Sequence, residues 1–419
     1  MPSRTADSSR RPFRLSVLTL AVVAGGAATA LAAGVHAAAM ATRQNRPQLA
    51  VALLGDEPAA LNRLAALEMA ERAAQGHPAP RARALARRSL MAQALNPAAL
   101  RTLALTRGAT LGKTIDYRLV HLSDAASRRD FGTQVLLIQE AAEKQDVAGV
   151  LRAYDTALRT SQSSQQILFP QLVKAMELPG MAPLFAPFVR NRPDWLSPFL
   201  VYAVVSSDHP GLFSRLLRAN GGAAGLDRAG EIEIGLVNRL IAVERDYSEA
   251  RRYYLSTKDA KASVLGSPAI GIDSLEPASN GLVWQLFDQP GRSAEALAHT
   301  AITAYAEGGR SGPVARKVLY LDPARYKLTG RYDDIRIAEG GGAVWNVSCL
   351  GKTDRVLSTV AVPRTPTSVA TSFAFTVPDG CAATSLELAM TGGGARAASE
   401  LTVSSLHLDR IGSAGTDAP

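Results

Sequence analysis

Histidine, cysteine and the aromatic residues are scarce in this 419-residue chain, and each scarcity removes a class of function. The six histidines are His36, His77, His121, His209, His299 and His407. No two lie within five residues, so the His-x-x-x-His spacing that places two metal ligands on one helix face is absent. No metal and no other cofactor is expected. There is no Gly-x-Ser-x-Gly nucleophile elbow. The aromatic share is 5%, which with abundant alanine suits closely packed helices. Acid or base runs are missing too: there is no block of five consecutive basic residues. The net charge of +9 is less than it looks, since residues 1 to 44 supply +4 of it. The rest is spread thinly over the chain, so no nucleic-acid partner is expected.

The longest absence is of charge itself. From Leu15 to Thr42 there is no Asp, Glu, Lys or Arg, and Arg4, Arg10, Arg11 and Arg14 precede the run. Such a stretch reads as a single transmembrane helix or as the core of an export signal. Cleavage is offered by Val35-His36-Ala37 and Ala37-Ala38-Ala39, and retention by the length of the run. Residues 1–14 are then a cytoplasmic tail. By the positive-inside rule the bulk of the chain lies in the bacterial periplasm, single-pass from the inner membrane.

That location bears on the two cysteines, Cys349 and Cys381. In an oxidising compartment they are expected to form a disulfide, which would make cysteine catalysis unavailable. The other reading is two buried free thiols.

Residues 45–270 read as helices. Pro58 to Ala74 is built of strong helix formers. Pro80 to Leu95 stops before Asn96-Pro97, and Pro97 suits the first turn of another helix. Ser127 to Lys144 and Asp146 to Thr160 form an antiparallel pair, the second opened by an Asp146 N-cap. Further helices are expected at 163–177, 180–190, 193–205, 228–244 and 246–257. Beyond residue 275 short alternating segments separated by Gly- and Pro-rich turns argue for an all-β sandwich over 275–412. The expected strands are Leu282 to Phe287, Val314 to Leu321, Tyr326 to Tyr332, Val344 to Cys349, Ser372 to Val377, Ser385 to Met390 and Leu401 to Leu408. Ser293 to Tyr305 fits strand or helix, and 413–419 reads as a disordered tail.

Several apparent chemical motifs fail on spacing. Gly108 to Thr114 has three residues between its first glycine and Gly112-Lys113-Thr114, where a phosphate loop needs four. Gly351-Lys352-Thr353 has Asn346 in place of the first glycine. Glu231 and Glu233, two apart on a helix, point in different directions, and Asp333-Asp334 reads as an exposed turn or a Ca²⁺ contact. Trp284, Trp345 and Tyr326 are the candidates for stacking on a sugar. The competing reading of both tryptophans is core, because each sits among apolar residues at strand positions.

Ala92 with Asn96-Pro97, Tyr154 with Ala157, and Asp246-Tyr247-Ser248-Glu249-Ala250-Arg251 resemble tetratricopeptide (TPR) repeats. Ala92 and Ala157 lie 65 residues apart, against about 68 for two regular repeats. The resemblance implies a degenerate TPR-like solenoid, and an irregular helical bundle is the alternative. Val283-Trp284-Gln285-Leu286, Leu321-Asp322-Pro323-Ala324-Arg325-Tyr326, Trp345-Asn346-Val347-Ser348-Cys349, Phe375-Thr376-Val377-Pro378 and Leu406-His407-Leu408-Asp409 resemble a jelly-roll domain of the carbohydrate-binding-module kind. That resemblance, with the anchor and helical repeats, is to bacterial envelope proteins of polysaccharide handling. It implies a non-catalytic scaffold that binds a protein partner through its helices and a glycan through its sandwich, in exopolysaccharide assembly. The alternative is a polysaccharide lyase or hydrolase with a β accessory domain, for which His121, Asp124 and Arg128 to Asp130 form the polar cluster to test.

Overall fold

The computed structural model describes residues 17–74, 77–110, 115–258, 260–271, 275, 282–365, 368–394 and 397–413; of 17–25, 27 and 108–110 only the backbone is described. The expected cytoplasmic tail, Leu15 and Ser16, Leu111 to Thr114 and residues 414–419 lie outside these. The chain forms two compact units, Met1–Ser164 and Gln165–Pro419.

The first unit is helical: α1 Val17–Thr42, α2 Pro47–Leu54, α3 Pro58–Ala74, α4 Pro80–Ala92, α5 Pro97–Thr110, α6 Tyr117–Ala126, α7 Phe131–Glu143 and α8 Val147–Thr160. Proline opens α2, α3, α4 and α5, where its fixed φ suits the first turn and its missing amide has no partner to lose. Asp130 and Asp146 cap α7 and α8, each accepting from the amide three residues on at 2.9 and 2.8 Å. Each helix packs on its neighbour in sequence, and α3 also meets α5 and α5 meets α7. The cores between them are thin and alanine-rich, as at Ala39, Ala50 and Ala60, so the backbones approach closely. Among the described residues no helix is long and apolar enough to cross a membrane.

The second unit begins with more helices: α9 Ser163–Met176 (crossing the division), a 3₁₀ turn Ala182–Phe185, α10 Ala186–Asn191, α11 Leu196–Ser206 and α12 Pro210–Ala219. Then come α13 Ala229–Arg239, continued by a π turn Leu240–Glu244, α14 Tyr247–Ser256 and the short α15 Ala262–Leu265. The few aromatics are concentrated here. Phe199 lies 5.5 Å from Phe169, 6.0 Å from Trp195 and 6.3 Å from Phe213, ring centre to ring centre. Such edge contacts add to the burial of large side chains. Helices α3, α5, α7, α9, α11 and α13 start at residues 58, 97, 131, 163, 196 and 229, so the last four intervals are 34, 32, 33 and 33 residues.

Eleven strands follow among the described residues: β1 Gln285–Leu286, β2 Asp288–Gln289, β3 Arg292–Leu297, β4 Ala301–Ala306, β5 Ser311–Leu319, β6 Ala324–Arg336, β7 Gly342–Leu350, β8 Arg355–Ala361, β9 Val369–Val377, β10 Ala383–Thr391 and β11 Ser399–Ser413. They make two antiparallel sheets, ordered β1-β5-β10-β7-β8 and β2-β3-β4-β11-β6-β9. Alternation sorts the faces: along β6, Tyr326, Leu328, Gly330 and Tyr332 are buried, while Arg325, Lys327 and Arg331 are exposed. The β10–β11 connection depends on Gly392. A Cβ there would stand 1.8 Å from the Glu307 carbonyl oxygen, closer than any side chain can approach.

Helical half followed by all-β sandwich is thus the architecture. Several details differ from expectation. The stretch Leu282 to Phe287 supplies only the two-residue β1, and Ser293 to Tyr305 is two strands, β3 and β4, around a turn in which Ala298 and His299 have positive φ. Strand β8 was not expected, because Arg355–Ala361 is largely exposed and has no clean apolar alternation. Helices α6 and α12 were not expected either. Both are ten residues long, and Pro210-Gly211 and Asn220-Gly221 make α12 read as turn.

Candidate functional site

The two tryptophans proposed for sugar stacking are in the sandwich core, at 3% and 1% exposure, with ring centres 6.0 Å apart. This corrects the stacking role: neither presents a ring face to a ligand. Their polar edges are satisfied internally. The Trp345 indole N–H donates to the Tyr332 hydroxyl at 2.7 Å, and the Trp284 N–H donates to the Pro268 carbonyl at 3.3 Å. Beneath Trp284 lies Lys317, whose Nζ is 5.8 Å from the ring centre and whose side chain is sealed at 2% exposure. Burial holds its ammonium down to about 8. A lysine is not expected on an inward strand position, and no sequence signal marks it.

Cys349, on β7, and Cys381, just before β10, are disulfide-bonded, with Cα atoms 5.5 Å apart. The bond joins two neighbouring strands of one sheet. The pairing reading of the two cysteines is therefore the one found.

In the first unit, His121 of α6, Asp124 and Arg128 share a groove of about 460 Å³ with side chains of α7 and α8. The sequence cluster does come together there, except that Asp130 is diverted. Burial alone would raise its carboxyl. The Arg101 guanidinium at 2.7 Å and the Thr133 groups more than offset this and hold it below the ordinary range. The remaining acids of the groove are also engaged. Glu140 takes His121 at 2.9 Å and Lys144 at 2.6 Å, Asp124 accepts from Gln134 at 2.7 Å, and Asp146 faces Arg152 at 3.4 Å. Mutually neutralised pairs of this kind hold helices in register. Each of these carboxylates has a cation or a hydrogen-bond donor within reach.

In the second unit, a cleft of about 540 Å³ lies between the α14–α15 stretch and the open end of the sandwich. One wall is helical, with Arg251 and Leu255 of α14 and Ser263 of α15. The other is formed by the β5–β6 connection and the end of β11, with Tyr320, Asp322 and Arg410. The two sides are tied: the Tyr320 amide donates to the Leu265 carbonyl at 2.7 Å. Tyr326, the third candidate for sugar contact, does line this cleft. Its hydroxyl donates to the Asp322 carbonyl at 3.0 Å and its ring stacks on Phe375, centres 5.9 Å apart. It is 7% exposed, so its phenol edge, not its ring face, belongs to the cleft. The Tyr320 hydroxyl is buried with no hydrogen-bond partner among the described residues, and burial pushes its phenol up. Arg251 and Arg410 are both exposed, and among the described residues neither has a carboxylate partner. Of these residues only Tyr326 is a sugar-contact candidate in the sequence; Arg251 and Asp322 stand there only within runs that carry a resemblance, because the lining comes from three separate segments. Among the described residues there is no cluster of three or more His, Cys, Asp or Glu that could hold a metal ion. Asp333 faces Arg331 at 3.8 Å.

No protein-family model matches the chain, and no curated protein does. Solved structures similar to part of it include a CBM4 structure (16% identity, TM-score 0.24), which overlaps 30% of this chain and 94% of its own. Another is Family 16 Carbohydrate Binding Module-2 (11% identity, TM-score 0.21), overlapping 29% of this chain and 86% of its own. A third is the C-terminal CBM6 of LamC from Zobellia galactanivorans (14% identity, TM-score 0.21), overlapping 35% of this chain and 100% of its own.

Proposed function

We propose that this protein is a non-catalytic adaptor of the bacterial cell envelope that binds a glycan at the cleft of its second unit and a protein partner along its helices. The carrying observation is the composition of the cleft. Apolar walls of Leu255, Leu265 and Pro268 suit the C–H face of a sugar ring, and serine and guanidinium groups at the rim suit its hydroxyls. Helices α3 to α8 of the first unit and α9 to α14 of the second are each read as degenerate TPR-like repeats. Intervals of 32 to 34 residues from α5 onward support that reading, as do side-chain contacts at offsets of 30 to 34 residues. Asn62 donates to Asn96 and Ser207 to Glu177, both at 2.9 Å and 34 and 30 residues apart. Such arrays offer side chains from successive helices to an extended partner. Residues 15–42 direct the chain out of the cytoplasm, which agrees with a disulfide between Cys349 and Cys381.

The test is binding of the full chain to an array of bacterial envelope polysaccharides, compared with Ser263→Trp. Ser263 is exposed on the cleft wall, so the indole fills the cleft without entering the core. The expected result is binding by the parent and at least a tenfold loss in the folded variant. Undiminished binding by the blocked protein would overturn the assignment of the cleft.

A further inference from the structure

We infer that the glycan unit held in the cleft is anionic, a sugar carrying a carboxylate of the uronate type, gripped between Arg251 and Arg410. The inference rests on the saccharide reading of the cleft and adds its charge class. Arg251 reaches the cleft from α14 and Arg410 from the end of β11, so the two guanidinium groups approach from opposite walls. Some arginines of this unit are paired with acids, as Arg218 and Arg252 are with Glu249 and Arg336 is with Glu400, and others bond neutral groups, as Arg239 does the Ser207 carbonyl and Arg316 the Ser385 hydroxyl. What distinguishes Arg251 and Arg410 is that both line one cleft and neither bonds an acid among the described residues. One carboxylate, Asp322, lies among the lining residues, and His407 is engaged by Asp409 at 2.9 Å, so cation exceeds anion at the site.

The Arg251 charge acts on the buried phenol of Tyr320 and the Arg410 charge on that of Tyr326, so both cations stand close to the cleft wall, where water is reduced and a charge pair gains strength. A planar carboxylate matches the forked donors of arginine and can accept from both. A neutral sugar would displace water from two cations without offering them an anion. An acidic sugar ring satisfies them through its carboxylate while its C–H face lies on Leu255 and Pro268. Serine hydroxyls at 263 and 267 are placed for the ring hydroxyls on the helical side.

The probes are polygalacturonate, alginate and hyaluronate, each paired with its methyl-esterified, uncharged form, titrated into the full chain and into Arg251→Gln and Arg410→Gln. Glutamine keeps hydrogen-bonding capacity and removes the charge. The expected result is that at least one acidic polymer binds at least tenfold tighter than its ester. Each glutamine variant then loses about tenfold for the acid and is unchanged for the ester, and raising salt from 50 to about 300 mM weakens only the acid. Equal affinity for acid and ester, or preference for the ester, would overturn the anionic inference and leave the saccharide reading standing. Failure to bind any polymer here or on the envelope array would overturn both.

Discussion

Lys317 is the residue whose environment is most at odds with its chemistry. It sits at an inward position of β5, opposite Leu386, with Trp284 against its ammonium and no anion among the described residues. Its folded-state value, about 8, lies below the ordinary 10.5. Between these two pH values the unfolded chain holds a proton that the folded chain has lost, so this group makes stability rise with pH across that window. Below pH 8 the cost of the buried charge is fully present. Lys317→Met keeps the length and removes the charge. It is expected to raise stability at pH 7 by about 2–3 kcal/mol. The gain should shrink toward zero by pH 10. Urea unfolding of both proteins at pH 7 and pH 10 checks this; comparing the two cancels the opposite drift from buried tyrosines such as Tyr320 and Tyr253. An unchanged gain at both pH values would show that the lysine is not the source. The residue was invisible in the sequence because Val314-Ala315-Arg316-Lys317-Val318 reads equally well with either basic residue facing solvent.

Among elements, the α12–α14 contact shows how the helices are held. Glu249 is 1% exposed. It accepts from the Ser214 hydroxyl at 2.9 Å and meets Arg218 at 3.2 Å and Arg252 at 3.0 Å. Asp246 caps the same helix by accepting from the Glu249 amide at 2.9 Å. Because both arginines are partly exposed, water screens them, and the carboxylate's value is less than that of a sealed pair. Glu249→Gln should cost about 2–3 kcal/mol, read as a lowered urea midpoint, with Ser214→Ala costing about 1 kcal/mol. An additive double variant would show that Glu249 and Ser214 act independently. The Asp246 cap was legible in the sequence, since a short acid before a helix-forming run satisfies an orphan amide. The partnership of Glu249 with Ser214 and Arg218 was not, because those residues lie 35 and 31 positions away.

For the whole molecule, the disulfide is the covalent constraint on the fold. Cys349 and Cys381 are 32 residues apart and clip β7 to the entry of β10, across the connection that includes β8 and β9. In the chain-entropy account, opening that loop costs about 3–4 kcal/mol. Reduction, or Cys349→Ser with Cys381→Ser, is therefore expected to lower the unfolding free energy by that amount, read as a lower urea midpoint. An unshifted midpoint would show that the bond does not form in the native protein.

The sequence by itself determined the order of the architecture. Proline at helix starts, aspartate caps, and the change from strong helix formers to alternating segments with Gly-rich turns are local signals, and local hydrogen-bonding and steric rules act on them directly. It also determined that Trp284 and Trp345 had two readings, and that two cysteines were available to pair. Tertiary structure alone decided between those readings. Whether a ring faces solvent depends on which sheet covers it, and whether two sulfurs meet depends on strand order. The cleft likewise exists only because residues near 251, 263, 320 and 410 are carried to one place. Burial and the excess of cation there are properties of that juxtaposition, so no window of contiguous sequence contains them.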